Sequence, residues 1–108
     1  MTVYALAQIS IHDRAQYDRY VARFMEVFQQ FEGRLLAADE SPVVVEGDWP
    51  HQKVILMAFP NRAAFERWAG SPAYQEISKD RVAATTGTVL LIAGLPGNAS
   101  ETLGGHRE

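Results

Sequence analysis

The chain has 108 residues, 47% of them hydrophobic and 21% charged, with a formal charge of -3 and no cysteine. This is the composition of one globular domain, and at this length roughly 60 to 70% of the unfolded surface can be buried, enough for one core that gains stability from a second subunit. The acidic balance and scattered cations leave no footprint for nucleic acid, no apolar run reaches the roughly 20 residues of a membrane span, and the lack of cysteine removes disulfides, thiolate ligands and thiol nucleophiles.

Val3 to Ile11 alternates loosely, is rich in β-branched residues and reads as a strand largely buried on both faces. Asp13 and Gln16 have the form of a capping box at a helix start. Behind them Tyr17, Tyr20, Val21, Phe24, Phe28 and Phe31 recur at three- and four-residue spacing, which places an aromatic stripe on one helical face, and Gly33 is expected to stop the helix. Arg34 to Glu40 and Val43 to Gly47 read as one bent strand or two short ones interrupted at Ser41-Pro42, because proline removes a ladder donor. Asp48 to His51 is a turn, and Lys53 to Phe59 is a strand antiparallel to its predecessor, since so short a link permits a hairpin but no crossover.

Asn61 caps a helix that carries Ala64, Phe65 and Trp68 and weakens at Gly70. Ser71-Pro72 restarts it, with Tyr74, Ile77, Arg81 and Val82 in helical register. Thr85-Thr86-Gly87 ends this segment, Thr88 to Ala93 is the last strand, and the small polar residues that follow read as a flexible tail over 96–108. Residues 1–95 then form a single βαββαβ domain, an α+β ferredoxin-like arrangement with an antiparallel sheet and two helical segments on one face. Both alternating sets of the strands are apolar, Leu56 and Ala58 against Ile55, Met57 and Phe59, and Leu90 and Ile92 against Val89 and Leu91. A solvated face would be polar at every second residue, so the uncovered face is expected to meet a second copy in a homodimer whose two sheets form a barrel.

Phe31 to Arg34, Leu36-Ala37, Glu46 to Pro50, Phe59-Pro60 and Trp68 to Gln75 together resemble the pattern of the domain of unknown function 1330, within the dimeric α+β barrel superfamily. The resemblance covers about residues 3 to 95 and departs from the family pattern at Ala69 and Asp39. It implies a ferredoxin-like homodimer and carries no established activity. The superfamily's other members include cofactor-independent monooxygenases of the antibiotic-biosynthesis type, haem-handling proteins and non-catalytic stress proteins.

Charge within strands marks the candidate site. Arg34 and Glu40 are an even number of residues apart, so on a regular strand they share a face with Leu36 and Ala38 while Asp39 faces oppositely. An arginine can clamp a carboxylate or enolate bidentately, and a carboxylate against an apolar wall can act as a general base, which nominates Arg34, Glu40 and Glu46 as catalytic candidates. The competing reading pairs Arg34 with Asp39, Glu40 or Glu46 as structural ion pairs. Gly47, Asp48 and Pro50 have turn duties. Trp49 either closes a pocket or anchors the subunit interface.

Trp68 and Tyr74 flank the break at Gly70 and either line a small-molecule cleft or belong to the core. Ser71 reads as a cap. His12, His51 and His106 are too dispersed for a metal set, and His51 alone is near the carboxylates, as a general base or proton relay or as a solvated turn residue. No glycine-rich nucleotide loop is present, and no cofactor is expected. The first residues lack the features of an export signal, so the expected location is the cytoplasm, with Asn98-Ala99-Ser100 a chance glycosylation match. Two functions fit: a dimeric protein that binds or transforms a small metabolite between helices and sheet, or a non-catalytic dimeric interaction or stress-related module whose strand charges are structural.

Overall fold

The computed structural model of the protein describes residues 1–96. Along the chain run β1 (Val3–Ile11), α1 (Arg14–Phe28), β2 (Arg34–Asp39), β3 (Lys53–Phe59), α2 (Arg62–Ala69), α3 (Pro72–Ala84) and β4 (Thr85–Ala93). The strands make one antiparallel sheet in the order β2-β3-β1-β4, the ferredoxin-like arrangement, with the helices against one face. No helix among the described residues is long and apolar enough to cross a membrane. The expected tail, with Asn98 and His106, lies mostly outside the described residues.

Local sequence explains the helix starts. The side chains of Asp13, Asn61 and Ser71 each accept a hydrogen bond from the backbone N–H three residues on, which satisfies one of the donors a first helical turn leaves free. Only half of the expected box at Asp13 forms: the Gln16 amide donates to Asp80 of α3 at 3.1 Å, tying the two long helices together. Gly70 ends α2 and Ser71 restarts the chain as α3, so the second helical segment is two helices.

The helix-facing side of the sheet is set by register. Val3, Ala5, Ala7 and Ile9 lie opposite Phe59, Met57, Ile55 and Lys53 on one flank and opposite Ala93, Leu91, Val89 and Gly87 on the other. Tyr17, Tyr20, Phe28, Trp68, Tyr74 and Ile77 close over this layer to form the core. Tyr4, Leu6, Val54, Leu56, Ala58, Leu90 and Ile92 occupy the opposite face. Among the described residues no layer covers it, and Leu90 and Ile92 are 48% and 40% exposed. β1 is therefore enclosed on one face rather than two.

Four local expectations change. The helix does not run to Gly33: α1 ends at Phe28 with Gln29 as its cap, and Gly33 serves a different purpose. A Cβ there would lie 2.5 Å from Phe59 and 2.7 Å from Phe28, two buried rings. Gly33→Ala is expected to destabilise the fold by about 1–3 kcal/mol through overpacking, read as a lower midpoint in chemical denaturation.

Second, Val43 to Gly47 is not strand, and Glu40 lies beyond the end of β2. β2 lies at the sheet edge, so after Pro42 the valines find no ladder, and Val43 and Val45 stand 86% and 93% exposed. Third, residues 40–52 form a long connection in place of a tight hairpin, although β2 and β3 are antiparallel as expected. Fourth, β4 begins at Thr85, because Thr85, Thr86 and Gly87 already pair with Ile11, Ser10 and Ile9.

Candidate functional site

A cavity of about 280 Å³ opens between the helices and the sheet. Small residues make the room: Ala7 of the central strand and Ala38 of the edge strand stand where larger side chains would meet the helices. Ile9, Ile55, Met57, Leu35 and Val89 complete the sheet wall. Tyr17, Tyr20 and Phe24 descend from α1, Phe65 and Trp68 from α2, and Tyr74 and Arg81 from α3. Val21, Met25 and Leu35 line the same space while being 44%, 48% and 40% exposed, so they form its rim.

The aromatic wall centres on Trp68, which is 3% exposed. Its ring lies 4.2 Å from Tyr74 and 5.3 Å from Phe28 between centroids, and stacks on Phe59 at 5.5 Å. Its indole N–H has no hydrogen-bond partner. An unmet buried donor costs about 1–3 kcal/mol and marks a place where an acceptor would be welcome.

Polar groups meet this wall at Tyr74. The hydroxyls of Tyr20 and Tyr74 are 3.0 Å apart. Burial, reinforced by the Tyr74 oxygen, raises the Tyr20 pKa above its ordinary value, so the Tyr20 hydroxyl keeps its proton. Burial alone would lower the Arg81 pKa, but the Tyr74 and Tyr20 oxygens outweigh it and the group stays cationic. Lys53, 8% exposed, holds its ammonium 4.9 Å from the centre of the Tyr17 ring and 3.8 Å from Glu40. Glu40 is more tightly engaged by Arg14, at 2.6 and 3.2 Å, and the hydrogen bond from Arg14 holds its carboxyl below the usual range.

The residues expected from sequence are divided among different places. Trp68 and Tyr74 line the cavity, and Glu40 stands beside it through Lys53. Arg34 does not share a face with Glu40. A register shift between Leu35 and Ala37 inserts one extra residue, so Arg34 pairs with Ala58 on the outer face while Ala38 pairs with Ile55 on the helix side. Glu46 borders an open groove with Pro42, Val43, Val44 and Trp49. Trp49 donates from its indole N–H to Gln8 at 2.8 Å, and His51 Nδ1 lies 3.3 Å from the Ser10 hydroxyl. Gln8 and Ser10 alternate with the buried residues of β1, so Trp49 and His51 belong with the outer face. Ser71 is a cap, bonded to the Tyr74 N–H and to the Trp68 carbonyl. Among the described residues no group of three His, Asp or Glu residues is arranged to hold a metal ion.

Lys53, Arg81, Tyr17 and Tyr20 line the cavity without having been among the site residues expected from sequence. Lys53 carried a legible signal, since it continues the parity of Ile55, Met57 and Phe59 as a cation in an apolar register. Arg81 continued the helical register of Tyr74 and Ile77. Their convergence depends on how α1 and α3 pack, which no single segment encodes.

Solved structures share this architecture. A protein of unknown function from Rhodopseudomonas palustris is 18% identical with a TM-score of 0.74, over 88% of this chain and 83% of that one. A dimeric ferredoxin-like protein of unknown function from Jannaschia sp. is 16% identical with a TM-score of 0.66, over 87% of this chain and 100% of that one. SnoaB, a cofactor-independent oxygenase from Streptomyces nogalater, is 18% identical with a TM-score of 0.64, over 88% of this chain and 94% of that one. At these identities the likeness is one of fold. No curated protein matches in sequence. The family model for the domain of unknown function DUF1330 matches residues 2–95, nearly all of the described chain, and the protein therefore belongs to the DUF1330 family.

Proposed function

We propose that the protein binds a compact, largely apolar metabolite in the cavity between helices and sheet, and acts as a homodimer closed through the outer face of the sheet. The observation that carries the binding reading is the cavity itself: about 280 Å³ of apolar space with the unpartnered Trp68 donor in its wall. An apolar cavity of about 150 Å³ suffices for benzene, and ligand pockets begin near 300 Å³, so the space suits a molecule of one or two rings. Trp68 and Tyr74 are its walls, Lys53 and Arg81 its polar contacts, and Glu40 positions Lys53. The reading calls on no metal or nucleotide cofactor. SnoaB shows that a cofactor-independent oxygenase can have this fold, which makes turnover of the bound metabolite a reasonable extension.

Dimerisation draws on the apolar outer face and on the dimeric ferredoxin-like neighbours. Arg34, Glu46, Trp49 and His51 then serve the interface and the groove beside it rather than the cavity. A second reading, a dimeric module without a ligand, draws on the exposed Val43 and Val45 as partner-facing residues.

Ala7→Leu separates the two readings, because it fills the cavity from the centre of the sheet. In ligand-observed NMR against a library of one- and two-ring metabolites, the wild type is expected to select binders that Ala7→Leu binds at least tenfold more weakly, with no loss of thermal stability. A silent library, or equal binding by the folded variant, would refute the cavity assignment.

A further inference from the structure

We infer that the ligand is a monoanion, a compact apolar body bearing one carboxylate, with the carboxylate held at the end of the cavity formed by Lys53, Arg81 and the Tyr20–Tyr74 pair. This rests on the cavity being a binding site and adds the charge of what it binds.

Ammonium and guanidinium groups that leave water are normally paired, because an isolated buried charge is costly. Lys53 and Arg81 both line the cavity, and no carboxylate does. Lys53 reaches Glu40 only at 3.8 Å, and that carboxylate is already committed to Arg14 at 2.6 Å. Arg14 also faces Asp18 at 3.5 Å. Arg81 makes no salt bridge among the described residues, and its neighbour Asp80 is directed to Arg19 and Gln16. Arg14 and Lys53 therefore share Glu40, with Asp18 beside Arg14, while no carboxylate pairs with Arg81 among the described residues. One positive charge remains, and one carboxylate on the ligand would balance it.

Hydrogen bonding gives the same answer independently of charge. The polar side-chain groups that line the cavity are mainly donors: the Lys53 ammonium, the Arg81 guanidinium and whichever hydroxyl proton the Tyr20–Tyr74 bond leaves free. A ligand that supplies only acceptors fits this set, whereas an amine or a donor-rich amide does not. Charge-assisted bonds from Lys and Arg to a carboxylate are the stronger kind, and exclusion of water strengthens them further. The exposed apolar rim of Val21, Met25 and Leu35 receives the ligand body.

The test is a matched pair, 2-naphthoate and 2-naphthamide, which share shape and differ in charge. Isothermal titration of the full chain should show naphthoate binding at least tenfold more tightly than the amide. Lys53→Met and Arg81→Met should each reduce that ratio to within about threefold, chiefly by weakening naphthoate. Each keeps a long side chain and removes a burial penalty, so folding is retained, and thermal unfolding checks it in both. Equal or tighter binding of the amide overturns the inference and leaves the cavity reading standing. So does a preference that persists in both folded variants. If neither compound binds the wild type at millimolar concentration, the cavity reading and the inference fall together.

Discussion

Leu6→Asp is expected to break the proposed dimer into folded monomers, seen by light scattering or native mass spectrometry as a fall from twice the 12.0 kDa chain mass to the chain mass itself. Leu6 is central on β1, with Leu56 on one side and Leu90 on the other, all on the face that no described layer covers. In a monomer the aspartate would be solvated and cost little. In a dimer closed through this face it would lose its water without a partner, a penalty of several kcal/mol per subunit. A stable interface needs about 800 Å² from each partner, and a four-stranded sheet with an apolar face is the surface best suited to supply it. Val21→Asp, on the exposed surface of α1, is the control and should leave the mass unchanged. If Leu6→Asp remains dimeric at micromolar concentration, the interface lies elsewhere.

Gly87→Ala is expected to be the most destabilising small substitution in the chain, by about 3 kcal/mol or more. Gly87 has φ of 150°, a region that residues with a Cβ avoid, and an added Cβ would stand 2.1 Å from the Gln8 carbonyl oxygen and 2.8 Å from the Ile9 Cα. These are backbone atoms of the central strand, paired to β3 and β4 at once, so they cannot yield without disturbing both ladders. Gly47→Ala provides the comparison. It also has a positive φ, 87°, but nothing lies within 4 Å of the added Cβ, so only the conformational cost of about 1–2 kcal/mol applies. Urea denaturation should therefore show a midpoint loss at least twice as large for Gly87→Ala as for Gly47→Ala. Similar losses would mean that backbone conformation, not close approach, governs Gly87.

The two faces of the sheet divide the candidate residues in a way that changes what each can do. Arg34 and Glu40, read as neighbours along one strand, are separated by the full thickness of the sheet once the extra residue at Leu36 is counted. Parity along a strand is a reliable guide only while the ladder is unbroken, and a bulge reverses it for every later residue. Glu40 thereby reaches Lys53 and Arg14, a pairing that counting from Arg34 would forbid. The charge within β2 that suggested a site lies at Arg34 on the outer face, and the cations that line the cavity come from β3 and α3.

Much of the architecture was legible because it depends on short-range chemistry. The order of elements, the caps at Asp13, Asn61 and Ser71, the full extent of β1 and β3 and the apolar character of both sheet faces all follow from residues close in sequence, whose periodicity and hydrogen-bonding capacity act locally. Tertiary structure decided the rest. Val43 to Gly47 has strand composition but no strand beside it, and β-propensity is realised only where a ladder exists. Gly33 and Gly87 are required by rings and backbone that come from other elements. The cavity, and the gathering of Lys53, Tyr17, Tyr20, Tyr74 and Arg81 at its end, exist because three elements distant in sequence pack with small residues between them. Burial and charge balance are properties of that packed assembly.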